Sequence, residues 1–104
     1  MELTGSEMTV AGVFHNGFEA ITMQPCGSDA LWWVTGEEDF FMQANAFAQE
    51  VAEEPIGRGG YRIFLRARGV KSSAGAYGFL GNYTYEFRVT AVKELRAFTD
   101  QDCR

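Results

Sequence analysis

Apolar residues recur along this chain at two spacings, and the switches between them outline its elements. Residues 8–14 (MTVAGVF) form a short, β-prone apolar run that stops at His15-Asn16-Gly17. Asn-Gly between two apolar runs is a strong hairpin signal, because both residues accept positive φ. The next run, 18–23, puts Phe18, Ala20 and Thr22 on one face and Glu19, Ile21 and Met23 on the other. Residues 25–29 read as a turn and 30–35 as a third strand. In that strand the adjacent Trp32 and Trp33 must point to opposite sides. One belongs in the core; the other needs a cover, a partner or a ligand.

From Thr35 the period changes. Thr35-Gly36-Glu37-Glu38 fits a capping box, and Glu37, Glu38 and Asp39 suit the positive end of a helix dipole. Phe40, Ala44, Phe47 and Val51 fall on one helical stripe, widened by Phe41 and Ala48. The stripe predicts an amphipathic helix of about four turns, stopped near Glu54-Pro55 because the residue before proline avoids the helical region. After a loop at 57–60, residues 61–69 (YRIFLRARG) alternate strictly. Tyr61, Ile63, Leu65 and Ala67 face one way, and Arg62, Phe64, Arg66 and Arg68 the other. Residues 70–82, rich in Gly and Ser, predict a long mobile loop. Residues 83–92 predict the last strand, with Tyr83, Tyr85, Phe87, Val89 and Ala91 facing in. Residues 93–104 predict a short extension and a loose tail. No repeat or boundary divides the chain, so one domain spans 1–104 with loose termini at about 1–7 and 97–104.

The expected order is β-β-β-α-β-β, mainly β with one helix. A helix between the third and fourth of five antiparallel strands is the signature of the OB-fold, a five-stranded Greek-key barrel. A five-stranded sheet with the helix on one face, an α+β sandwich, is the alternative. The length of 104 residues and 46% hydrophobic content support one core. Aromatics at 14% fill it with rings. No apolar run approaches the roughly 20 residues of a membrane span, so the chain is expected to be soluble. The start MELTGSEM lacks the basic-then-apolar pattern of a signal peptide. Both a cytoplasmic chain and the mature part of an exported one fit that start.

Charge is segregated. Residues 1–57 hold ten acidic residues and no Lys or Arg, while 58–104 hold all nine basic residues against four acidic. Two halves attracting each other across shared edges is the first reading; an acidic and a basic face meeting partners is the second. The net charge of −5 disfavours double-stranded nucleic acid, which is bound by phosphate neutralisation.

The set Gly12…Phe18-Glu19-Ala20…Gln24-Pro25-Cys26-Gly27…Trp32-Trp33-Val34 resembles a pattern in small OB-fold domains of bacterial envelope lipoproteins, including those of copper homeostasis and envelope stress. In those domains a Phe, a Cys-Gly turn and a Trp-Val strand are followed by a helix and a strand like residues 61–69. The resemblance covers about 18–69 and implies a binding or sensing accessory domain without catalytic residues to carry over. This chain departs from the pattern in having no lipobox cysteine and no leader.

The residues point to no catalytic site, no cofactor and no metal centre. His15, the sole histidine, is expected as an exposed turn residue. His15, Met23 and Cys26 suit Cu(I) in chemistry but converge only if the first hairpin folds over the second turn. Cys26 and Cys103 match no metal or redox spacing; free thiols are the expected state, with a disulfide clipping tail to turn as the alternative. Glu37, Glu38 and Asp39 are explained by helix-start stabilisation, and no histidine is spaced for a Ser nucleophile. The glycine-containing loop 75–81 lacks the Lys-Ser/Thr of a phosphate loop; its Tyr77, Phe79 and Leu80 suit a lid or contact patch.

Arg62, Phe64, Arg66, Arg68 and Arg88, with Tyr77, Phe79, Trp32 and Trp33, make up the expected binding surface. A non-enzymatic module for a protein partner or self-association is the leading function. Single-stranded nucleic acid stacked on the arginine–aromatic face is the alternative. A small ligand at the barrel mouth near Trp32 or Trp33 is a third reading.

Overall fold

A computed structural model describes residues 6–17, 20–52, 55–57, 59–99 and 102–103. Its elements run β1 (Ser6–Asn16), β2 (Ile21–Pro25), β3 (Trp32–Gly36), α1 (Glu38–Val51), β4 (Tyr61–Lys71) and β5 (Glu86–Ala97). The expectation of a mainly β chain with five strands and one helix is met. The strands close into a barrel in the order β1-β2-β3-β5-β4, with β4 returning to β1. Every pairing is antiparallel except β3 with β5. Closure sets aside the open sandwich.

The first turn is longer than Asn-Gly alone. Asn16 pairs directly with Ile21, and the Gly17 N–H donates to the Ala20 carbonyl. The strand start expected at Phe18 and Glu19 lies outside the described residues. The second turn is tight: the Ser28 N–H donates to the Pro25 carbonyl, and Gly27 has φ of 79°. That left-handed third position is what a type II turn demands, and glycine takes it without strain.

The capping box does not form. Thr35 is still strand, and its hydroxyl donates to Glu86 Oε2 at 3.2 Å. Glu37 is the N-cap and makes no side-chain cap bond. The helix plugs one barrel end by Phe40, Ala44 and Ala48, with Phe40 edge-on to Phe14 at 5.4 Å. Its stripe is therefore i, i+4, i+8, flanked by part-buried Phe41 and Phe47, and the expected Val51 is exposed. Ala44 and Ala48 let the helix sit close to the strands, which larger residues would prevent.

Strand β5 breaks the alternation that its sequence suggests. Gly69 faces Val89 and Arg68 faces Ala91, while Ala67 faces Val92 and Arg66 faces Glu94. Thr90 and Lys93 are thus extra residues, two bulges that bend the strand and help close the barrel. Each bulge flips the phase. Phe87, Val89, Val92 and Leu95 become the inward set in place of Ala91. Tyr83 and Tyr85 precede the strand.

Cys26 and Cys103 are joined as a disulfide across 77 residues, correcting the expectation of free thiols. The Asp102 carboxylate accepts from the Thr99 N–H at 2.8 Å and from Arg96 Nη1 at 2.7 Å. The Thr99 backbone bond, followed by Arg96, holds the Asp102 carboxyl below the usual carboxylate range. Among the described residues no helix is long and apolar enough to cross a membrane.

Candidate interaction surface

The chain between β4 and β5, read from sequence as a mobile loop, is a hydrogen-bonded hairpin. The Ser72 N–H donates to the Glu86 carbonyl and the Gly75 N–H to the Thr84 carbonyl. Tyr77 and Tyr83 exchange both backbone bonds, at 2.8 and 3.1 Å. A last bond from the Gly81 N–H to the Gly78 carbonyl closes a turn whose two central residues are Phe79 and Leu80. These are 78% and 76% exposed, the highest among the large hydrophobic residues. The hairpin, 72–85, contains no charged side chain.

Trp33 braces this hairpin. It faces outward on β3, level with Thr22 of β2, and its ring stacks on Tyr83 at a tilted 5.4 Å. Gly78, at φ of 87°, lies so near that a Cβ there would sit 2.9 Å from the Trp33 ring. Tyr77 adds a hydroxyl bond to the Ser73 carbonyl at 2.9 Å. Trp33 therefore has its cover within the chain. Trp32 points inward, 5.7 Å from Phe87, and joins the core margin. Lys71 places its ammonium over Trp32 and Tyr85 at 4.8 and 4.0 Å, a cation–π contact across the expected mouth.

The arginine face divides. Phe64 points outward with Arg62, Arg66 and Arg68, yet it is only 3% exposed, so it is no free stacking platform. Arg96, directly opposite on β5, lies over its ring at 4.1 Å. Phe64 forms the base of a cleft of about 450 Å³ whose rim includes the Cys26–Cys103 bridge and Asp102. Arg66 meets Glu94 at 3.6 Å, Arg96 meets Glu94 and Asp102, and Arg68 meets Glu7. Arg62 is exposed with no ion pair among the described residues. Arg88 stands apart, opposite Val70 at the other end of β4. The Glu94–Arg96–Asp102 network was not legible from alternation, because the bulge that brings Glu94 and Arg96 outward leaves no mark in it.

His15 is half-buried, and its Nε2 lies 3.1 Å from the Gly59 carbonyl, holding the 57–60 loop. Met23 is fully buried and Cys26 is oxidised, so His15, Met23 and Cys26 do not assemble a copper site. Among the described residues no three His, Cys, Asp or Glu side chains gather as metal ligands. Beside the helix, Asn45 Oδ1 accepts from the Tyr61 hydroxyl and from Asn16 Nδ2. Burial pushes the Tyr61 phenol up, partly offset by the bond from Asn16. Compared with protein-family models, curated proteins and solved structures, the chain matches none of them.

Proposed function

We propose that this chain is an OB-fold, non-catalytic interaction module that docks a protein partner through Phe79 and Leu80. The OB assignment is supported by the helix between β3 and β4 and by the strand order 1-2-3-5-4. In that fold the β2–β3 face and the loops beside it, including the one between the fourth and fifth strands, are the usual ligand surface. The observation that carries the function is the exposed Phe79–Leu80 pair on a braced, uncharged hairpin. Bare apolar side chains on a fixed support gain by being covered, and little ordering entropy is lost on contact. The likeness to envelope lipoprotein domains belongs to the same proposal. It is supported by the disulfide, since such bonds persist in oxidising compartments.

A photo-crosslinking residue at Phe79, compared with one at exposed Glu50 on the helix, tests this reading in cells. Crosslinks to a defined protein, or to a second copy, at position 79 and not at 50 are the expected result. Equal labelling at both positions, or none at 79, ends it. The oligonucleotide reading has lost its main support, because Phe64 is covered and Arg66, Arg68 and Arg96 are paired with carboxylates.

A further inference from the structure

Strand β3 ends at Gly36, where the chain turns into α1, so it pairs with only the first part of β5, Glu86 to Val89. Beyond that point β5 is paired on one side by β4 alone, and among the described residues no backbone bond from another segment reaches 90–97. Val89, opposite Gly36, is the last residue paired with β3, and the open edge starts at Thr90. Alongside runs the first half of α1, and between the two lies a groove of about 370 Å³. Its strand side is five consecutive residues, 88–92. Residues 88 and 89 still pair with β3, so the open backbone edge along the groove is 90–92.

We infer that this groove takes a short extended peptide, added as a strand to β5, with a lysine or arginine set among apolar residues. Main-chain bonds to a free strand edge supply affinity, and alternate side chains supply selectivity. Phe40 and Val92 give the guest an apolar floor. Glu37 and Asp39 form the helix wall, both exposed and neither in an ion pair among the described residues, against the single cation Arg88. That wall selects a basic guest and rejects an acidic one. The bulges at Thr90 and Lys93 deter long, flat strands, which keeps the guest to a few residues. This site is separate from the hairpin tip.

The test titrates the isotope-labelled full chain with three pentapeptides: alternating valine and lysine, alternating valine and glutamate, and the lysine peptide N-methylated at alternate residues. Backbone amide shifts confined to residues 88–92 and the facing helix turn are expected with the lysine peptide. Affinity should fall at least about tenfold for the other two. The double variant E37K/D39K, on exposed positions, should reverse the charge preference. No shifts at millimolar lysine peptide, shifts centred on Phe79 and Leu80, or equal binding of the N-methylated peptide would each overturn the inference. Shifts at 88–92 that depend on protein concentration without peptide would assign the edge to a second copy and overturn it as well.

Discussion

Gly12 and Gly57 look alike in the sequence and differ sharply in what the fold asks of them. A Cβ on Gly12 would sit 2.1 Å from the Gln24 carbonyl oxygen, a backbone atom that cannot swing away, whereas Gly57 has open space around it. Gly12→Ala should therefore cost about 3 kcal/mol in a urea titration and Gly57→Ala should stay within about 0.5 kcal/mol. At Tyr61 the consequence is in pH. Its folded pKa is raised by burial, so the stability it contributes is complete below about pH 10, the unfolded value, and is lost as pH rises through the folded one. Tyr61→Phe should flatten that alkaline decline in thermal melts between roughly pH 9 and 11. Phe64 shows the limit of reading single residues. Its outward direction was legible from alternation, but its burial depends on Arg96 and the tail, which reach it through contacts far apart in sequence.

Elements with one clean period were legible: the helix from its apolar stripe, and β4 from strict alternation before its register was known. What stayed hidden was wherever two elements negotiate geometry. Two bulges in β5 answer the curvature of the closed sheet, a global demand that no local window carries. Thr35 fits a capping box by type, yet Glu86 across the parallel pair claims its hydroxyl. Residues 70–82 are rich in Gly and Ser, which signals turns, but the bracing of that stretch comes from Trp33, some forty residues earlier. Phe79 and Leu80 stood out in the sequence as apolar residues on this connection; the bracing beneath them did not. For the tail, reduction or the pair C26S/C103S should lower stability by about 4 kcal/mol, because the bridge closes a 77-residue loop. A calorimetric melt should then fall by roughly 20 °C. Acid should loosen the same element: the contribution of Asp102 is complete above the ordinary carboxylate range and is lost as pH falls through its lowered folded value. Asp102→Asn should remove that part of the acid dependence.

Across the described residues, the charge segregation along the sequence yields one ion pair between the halves. Among the described ion pairs, Glu7–Arg68 alone joins the first half to the second; the others link Arg66, Arg96, Glu94 and Asp102 within the second. The helix carboxylates are left facing outward, which gives the molecule an acidic side. The barrel order explains this, since β4 and β5 are long neighbours and carry most of the arginines. The covalent bridge has a mechanical consequence. With handles at the two ends of this sequence, an oxidised molecule stretched in an optical trap can lengthen only through the residues ahead of Cys26, about 9 nm of contour. The same molecule in reductant should extend to about 36 nm. Everything between the two sulfurs is a closed ring, shielded from tension for as long as the bond lasts.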